Sequence, residues 1–303
     1  MIDAAPMADT GNRAGPHGAS SVADLLAGYS IEVTPRSKTA VETCREQLAP
    51  GSEVYIASIP GGSYHSAVTA AIGLAKAGLQ PVPHLAARSI ASFTQLTDFL
   101  SRLVGDAGVT RALVIGGDNE RPAGPYGSSL ALLQTGAFQR SGIRRIGIAC
   151  YAEPNRRVEM PVLDAALTDK LAFLNQEGFD PWLISQFCFD SAAIVAMVRR
   201  WRAAGVTAPL RVGIAGPADA RTLWKYALHC GIGNSMRALG THVDAISNLL
   251  VRSAPDDILR DIATARAVEP ELGIVGVHFF SFGGVLAVAR WANAILAGSV
   301  ASA

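Results

Sequence analysis

The chain has 303 residues, of which 50% are hydrophobic and 17% are charged, and its formal net charge is +1. This balance is typical of a soluble globular protein with a large core, and it argues against a nucleic-acid partner or an anionic membrane partner. The four cysteines stand alone, without a CxxC pair or the spacing of a zinc site or disulfide framework. A reducing, cytoplasmic location is the simplest expectation.

The two ends of the sequence raise the question of targeting and membrane segments. Residues 1–26 are rich in Ala, Gly, Pro and Ser and lack the basic start and apolar core of a signal peptide, so we expect a flexible N-terminal tail there. The apolar stretch 273–289 contains His278 and a Gly283-Gly284 break, and it is shorter than the roughly 18 to 20 residues of a membrane span. It predicts a strand, a turn and a helix.

Short β-rich runs alternate along the chain with amphipathic helical stretches. The predicted strands are 30–34, 54–58, 81–86, 111–116, 145–150, 181–187, 210–216 and 273–280. The clearest predicted helices are 39–48, 66–77, 89–104, 191–204 and 218–230. Eight such units predict an α/β fold, a single (β/α)8 TIM barrel over residues 27–303, with a helical insertion of two segments at about 231–272, before the last strand.

A doubly wound open sheet is the competing architecture. No predicted strand is followed by a GxGxxG fingerprint, and the sequence has no P-loop. The closed barrel is therefore preferred, and its active site is expected at the C-terminal ends of the strands.

Polar residues at those strand ends are the candidates for function. They are Glu32, Ser58, His84, Asp118, Tyr151, Glu153, Gln186, Asp190 and His278. The two histidines are equally consistent with core residues bonded to backbone, and Asp190 precedes a helix, which favours a capping role. Gln186 needs partners from a loop or a ligand. Glu32 and Asp118 are harder to explain structurally, because a buried carboxylate is costly and no strand offers an obvious cationic partner.

Several reaction classes can be weighed from the same residues. All four lysines fall in predicted helices or loops, which disfavours a Schiff-base aldolase, and the first strand lacks histidines, which disfavours a metal-dependent hydrolase. No metal is expected. Glu32 and Asp118 could serve as the two carboxylates of a glycosidase, although the aromatic content of 7% offers little for a sugar platform.

Six segments in sequence order carry a family resemblance. They are "SIEVTPR" (30–36), "PHLAARS" (83–89), "VIGGD" (114–118), "ACYAEPN" (149–155), "SQFCFD" (185–190) and "GVHFFSF" (276–282). In order and spacing they resemble the methylenetetrahydrofolate reductases, flavin-containing (β/α)8 enzymes, over about residues 30–296. The resemblance implies reduction of 5,10-methylenetetrahydrofolate to 5-methyltetrahydrofolate, a role in one-carbon metabolism and methionine biosynthesis.

The resemblance also implies roles for individual residues. Glu32 would be the general acid that protonates N10 of the folate, with a pKa raised toward neutrality by the desolvating lumen. Asp118 would be catalytic and contact the pterin, stabilising the cationic iminium, and Gln186 would bind the pterin. The implied flavin-site residues are Ser58, His84, Gly117, Asp118, Tyr151 and Asn155. The implied cofactor is FAD, and NADH or NADPH would supply the hydride.

Some positions depart from the family pattern. Gly116, Asn155 and Leu174 replace an arginine, a histidine and a lysine suited to phosphate or ribose. Two alternatives stay open: a flavin-independent reductase that takes hydride directly from NADH, and a non-redox folate-binding barrel. The sequence also leaves open whether the chain forms a homo-oligomer.

Overall fold

The computed structural model describes residues 17–154, 158–231 and 255–298. Eight parallel strands close into a barrel in sequence order, with β8 pairing back onto β1. The strands are β1 Ser30–Val33, β2 Glu53–Ile56, β3 Gln80–Ala86, β4 Arg111–Ile115, β5 Arg145–Cys150, β6 Asp180–Ser185, β7 Leu210–Ala215 and β8 Ile274–Phe280. The predicted single (β/α)8 TIM barrel is confirmed.

Helices follow the strands and cover the outside of the barrel. Within the described residues they are α1 His17–Leu26, α2 Lys38–Gln47, α3 Tyr64–Lys76, α4 Phe93–Ala107, α5 Ser129–Leu133, α6 Ala137–Ser141, α7 Met160–Gln176, α8 Ser191–Ala203, α9 Ala220–Cys230, α10 Asp256–Val268 and α11 Val285–Leu296, with 3-10 turns at Ala87–Ser89 and Pro270–Leu272. No helix in these ranges is long and apolar enough to cross a membrane.

Side-chain alternation along the strands separates two apolar regions. Residues such as Ile31, Val54 and Val212 face outward and join the large core beneath the helices. A smaller cluster fills the lumen; it consists of Tyr55, Val82, Leu113, Trp182 and Ile184. The lumen is therefore packed in its lower part, as expected for an eight-stranded barrel, and is available for chemistry only toward the C-terminal ends of the strands.

The N-terminal boundary differs from the sequence prediction. Residues 17–26, expected to be part of a flexible tail, form helix α1, and Leu25 and Leu26 are fully buried. Val22, Leu25 and Leu26 have the i, i+3, i+4 spacing of an apolar helical face, which outweighs the Gly- and Ser-rich composition. The rest of the predicted tail, residues 1–16, lies outside the described residues.

The insertion before the last strand is described in part. Helix α10 and the 3-10 turn at Pro270–Leu272 occupy its second half, as predicted for one of its two helical segments. Residues 232–254, where the other segment was predicted, lie outside the described residues. This places α10 between the seventh and eighth strands as an addition to the barrel wall.

Candidate active site

Glu32 lies on β1 and faces the lumen near the C-terminal ends of the strands. Its neighbours Ile31 and Val33 are buried on the opposite face, toward the helices. The Glu32 side chain is 20% exposed, so its carboxylate is largely withdrawn from water but can be reached from the barrel mouth. This is where a reacting group is expected in this fold.

Two imidazoles face the carboxylate of Glu32. Oε2 of Glu32 lies 3.5 Å from Nε2 of His84 and 3.9 Å from Nε2 of His278. His278 is fully buried, and its Nδ1 lies 3.0 Å from Oγ of Ser30, which fixes the orientation of the ring. No lysine or arginine pairs with Glu32 among the described residues; its partners are imidazoles, one brought by the closure of β8 onto β1 and the other supplied by β3.

The electrostatics of Glu32 differ from the sequence prediction. Burial raises the pKa of the carboxyl group, but His278 and His84 favour the carboxylate, and together they hold the pKa below its usual 4.5. Burial lowers the pKa of His84 below 6.5, and the neighbouring His278 lowers it further. In the substrate-free protein at neutral pH, Glu32 is thus ionised and His84 is neutral. The predicted rise of the Glu32 pKa toward neutrality is corrected.

The lumen beneath these histidines is closed by two aromatic side chains that sequence reasoning missed. Nε1 of Trp182 donates a hydrogen bond of 3.0 Å to Oη of Tyr55. The centroid of the Tyr55 ring lies 4.4 Å from the ring centroid of His278 and 6.1 Å from that of His84. Tyr55 pairs in register with Glu32 on the adjacent strand. The only sequence signal was the inward phase of Tyr55 on its strand.

Asp118 follows β4 and lies at the same end of the barrel. Gly117 before it has a φ of 90°, and a Cβ at this position would lie 3.0 Å from Cβ of Ala86, so the turn into Asp118 favours glycine. Burial raises the pKa of Tyr151 to about 12, and the negative charge of Asp118 contributes to that rise. Asp118 and Tyr151, predicted together for the flavin site, therefore lie near one another.

Cys230, at the end of α9, lies near both Asp118 and Glu32. Burial raises the pKa of its thiol to about 12, and both Asp118 and Glu32 raise it further by their negative charge. One thiol thus lies within the electrostatic influence of both predicted catalytic residues. Its position far along the chain, on a helix, gave the sequence analysis no signal.

Gln186 lies just beyond β6 and lines a cleft at the mouth. The cleft is small and opens to solvent; its lining residues are Tyr151, Ala152, Glu153, Pro154, Gln186, Phe187, Cys188 and Cys230. Oε1 of Gln186 accepts a hydrogen bond from the backbone N–H of Phe187, which orients the amide. The structure thus brings Gln186 and Tyr151 together in one cleft.

The remaining candidates have different outcomes. Ser58 is half-buried two residues beyond β2, at the correct end of the barrel. Asn155 lies outside the described residues. Asp190 caps α8, since its Oδ1 accepts a hydrogen bond from the backbone N–H of Ala193, as the sequence favoured. Glu153 lies near a thiol, with Oε1 3.8 Å from Sγ of Cys188.

Two positions at which the resemblance implies donors for the FAD diphosphate offer none in the structure. Gly116 offers no side chain, and Leu174 is fully buried in the core. The guanidinium of Arg88, at the end of β3, donates hydrogen bonds to three backbone carbonyls of the loop after β4, those of Asn119, Glu120 and Gly127. These donors are therefore not directed at a phosphate.

The described residues contain no cluster of three or more His, Cys, Asp or Glu side chains arranged to hold a metal ion. The four lysines lie on α2, α3, α7 and α9, as predicted, and not on strands.

No protein family model matches the chain. Among solved structures, a DHPS from Yersinia pestis with a pterine-sulfa conjugate is 12% identical, with a TM-score of 0.47 over 92% of this chain and 96% of that chain. Dihydropteroate synthase from Thermus thermophilus is 13% identical, with a TM-score of 0.45 over 89% and 92%. D-psicose 3-epimerase from Clostridium cellulolyticum with D-tagatose is 12% identical, with a TM-score of 0.45 over 89% and 97%. Likeness at this level indicates neither a family nor an activity.

Proposed function

We propose that the chain reduces 5,10-methylenetetrahydrofolate to 5-methyltetrahydrofolate, with hydride from NADH or NADPH. The observation that supports this most is the placement of Glu32 inside the barrel mouth, where two imidazoles hold its carboxylate. Asp118 and Gln186 follow β4 and β6 at the same end of the barrel. The six segments that resemble methylenetetrahydrofolate reductases supply these same residues.

The proton step assigns the acid role to Glu32. Protonation of N10 breaks its bond to the methylene carbon, and the electrons of that bond stay with N10 while a cationic iminium forms at N5. Glu32 is ionised in the free protein, so the proton must be taken up when substrate binds. A ring system that fills the mouth removes the remaining water from the carboxylate, which raises its pKa and favours that uptake.

The hydride step depends on charge and orientation at the mouth. The carboxylate of Asp118 stabilises the positive iminium by a fixed negative charge, and the amide of Gln186 donates to and accepts from the edge of the pterin. Hydride then adds to the methylene carbon and converts it to a methyl group. One proton and one hydride are consumed, and the nicotinamide leaves oxidised.

Two routes for the hydride are compatible with the proposal, direct transfer from the nicotinamide and transfer through FAD. The side chains at positions 116 and 174 supply no donor for a flavin diphosphate, and Arg88 is engaged by its own loop. FAD, with Ser58, His84, Gly117, Tyr151 and Asn155 as its predicted contacts, remains a prediction from the resemblance. An absorption spectrum of the purified protein, followed by titration with FAD, tests it.

A second candidate is a non-redox folate-binding barrel. The lowered pKa of Glu32 favours it, because a carboxylate that is ionised at neutral pH is a poor proton donor until its surroundings change. Such a protein would use Asp118 and Gln186 to bind the pterin and would not turn over nicotinamide.

The deciding experiment combines turnover with an isotope. Purified protein is incubated with methylenetetrahydrofolate and with NADH or NADPH deuterated at the carbon that donates the hydride. The methyl group of the product is then analysed by mass spectrometry. Deuterium retained in the methyl group supports the reductase and direct transfer, whereas deuterium lost to water indicates a flavin, whose reduced N5 exchanges its hydrogen with solvent. Binding of folate without any methyl product would favour the non-redox barrel.

A further inference from the structure

The hydrogen bond between Trp182 and Tyr55 crosses the lumen. Tyr55 is on β2 and Trp182 is on β6, four strands apart in a ring of eight, so the two side chains come from opposite walls. The bond is 3.0 Å long and buried. A contact of this kind closes the lumen more completely than packing between neighbouring strands.

The wall of the barrel is shaped to admit the indole. Gly147 on β5 pairs in register with Trp182, and a Cβ at Gly147 would lie 2.7 Å and 2.8 Å from two atoms of the indole ring. Val82 and Leu113 complete the apolar layer around the pair. The missing side chain at Gly147 on β5 therefore leaves space that the indole of Trp182 on β6 occupies.

Tyr55 and Trp182 separate two polar layers of the lumen. Toward the N-terminal ends of the strands, Glu53 forms ion pairs with Arg111 and with Arg211, whose Nε lies 3.6 Å from Oε2 of Glu53. The charges of these three groups act on the Tyr55 hydroxyl, which places that hydroxyl next to them. On the other side of the Tyr55 ring lie His84 and His278.

Both imidazoles lie near the Tyr55 ring and near the carboxylate of Glu32. Nε2 of His84 and Nε2 of His278 have no partner at hydrogen-bonding distance among the described residues, and the nearest carboxylate, that of Glu32, lies 3.5 Å and 3.9 Å away. Ser30 fixes the other nitrogen of His278. The ring of His84 makes a T-shaped contact with the Tyr55 ring, with centroids 6.1 Å apart.

We propose that Tyr55, anchored across the lumen by Trp182, is a positioning residue that holds His84 and His278 against Glu32. The inference rests on the proposed function for its effect on catalysis, whereas its structural part concerns the imidazoles alone. In this role Tyr55 acts through the two histidines, whose rings it contacts. Loss of the ring would open the space beneath them to water and let the imidazoles turn away.

The test compares Tyr55→Leu, which removes the ring, with Tyr55→Phe, which keeps it. Proton NMR titration of the imidazoles in the substrate-free protein is the first measurement. We expect Tyr55→Leu to move the pKa of His84 back toward 6.5, because water entering the lumen relieves the burial that lowers it. Tyr55→Phe keeps the ring contact but loses the hydroxyl that accepts the hydrogen bond from Trp182, so we expect a smaller shift in the same direction.

Turnover is the second measurement. For Tyr55→Leu we expect kcat to fall about 10- to 100-fold with KM within about threefold, because misplaced catalytic groups affect the transition state more than binding. Leu96→Ala is the matched control: Leu96 is fully buried in the outer core on α4, so it should lower stability without moving the titrations or kcat.

Two outcomes would overturn the proposal. One is unchanged imidazole titrations in Tyr55→Leu; the other is an equal shift in Leu96→Ala. If Tyr55→Leu fails to fold, Trp182→Phe removes the anchoring donor together with part of the indole volume and is expected to shift the His84 titration in the same direction, and no shift there rejects the proposal. If the protein does not reduce folate at all, the titrations still decide whether Tyr55 positions the histidines.

Discussion

Oε2 of Glu32 and Nε2 of His84 lie 3.5 Å apart, so the carboxylate on β1 faces an imidazole on β3. A neutral imidazole stabilises the buried carboxylate less strongly than an arginine or a lysine would. The pKa of Glu32 can therefore rise when substrate fills the barrel mouth. This relationship determines what substitutions at either residue should do.

Glu32→Gln should abolish proton donation while keeping the size and polarity of the side chain. We expect kcat with methylenetetrahydrofolate and NADH to fall by about 10²- to 10⁴-fold, the usual contribution of a general acid, with KM within about threefold. Steady-state kinetics of methyl product formation measure both. Glu42→Gln, at an exposed carboxylate of α2, is the matched control and should be silent. Full turnover in Glu32→Gln would rule out Glu32 as the acid.

His84→Gln should make the stability of the fold less dependent on pH. The folded pKa of His84 lies below the unfolded value of 6.5, so at acidic pH the unfolded chain binds a proton that the folded chain resists. Its stabilising contribution is present above pH 6.5 and is lost as pH falls through the folded pKa, and each unit of pKa difference corresponds to about 1.4 kcal/mol.

Urea unfolding of His84→Gln and of the parent protein between about pH 8 and pH 5 checks this. The parent should lose more free energy of unfolding over that range than the variant. Glu32 adds a loss of the same sign at lower pH, because its folded pKa is also depressed, below 4.5. Parallel pH dependence in the two proteins would contradict the assignment of a buried neutral His84.

Much of the barrel could be predicted from the sequence because strand and helix periods are local. The predicted strand 145–150 matches β5 in both bounds, and the predicted helix 191–204 ends one residue beyond α8. Helix α1 was missed because the small residues before Val22 resemble a linker, although its apolar spacing is helical.

The site was less predictable because its contacts are made between distant segments. Glu32, His84 and Gln186 could be placed at the correct end of the barrel from their strands alone. The partners of Glu32 could not, since the His278 contact exists only because β8 closes onto β1. The sign of the Glu32 pKa shift depended on those partners, so desolvation alone gave the wrong direction.

Thiol reactivity should be low in the folded protein. Burial raises the pKa of Cys44 and of Cys230 to about 12, so little thiolate, the reactive form, is present at neutral pH. We expect labelling by a maleimide or by a disulfide reagent to be slow at neutral pH and to become rapid on unfolding in urea. Mass spectrometry of peptides identifies each labelled cysteine. Fast modification of Cys230 in the native protein would show that burial, with the charges of Asp118 and Glu32, does not keep its thiol protonated.

Gly147→Ala should destabilise the barrel by crowding the indole of Trp182. The added Cβ would lie 2.7 Å from the ring, inside van der Waals contact, and the ring cannot retreat without breaking its hydrogen bond to Tyr55. Overpacking of this kind costs about 1 to 3 kcal/mol. Gly105→Ala is the matched control: Gly105 lies within α4, and its added Cβ would meet nothing within 4 Å, so it should stabilise the protein by about 0.5 to 1 kcal/mol. Thermal unfolding of the two variants should therefore shift Tm in opposite directions, and a Gly147→Ala protein as stable as its parent would show that the lumen layer is loosely packed.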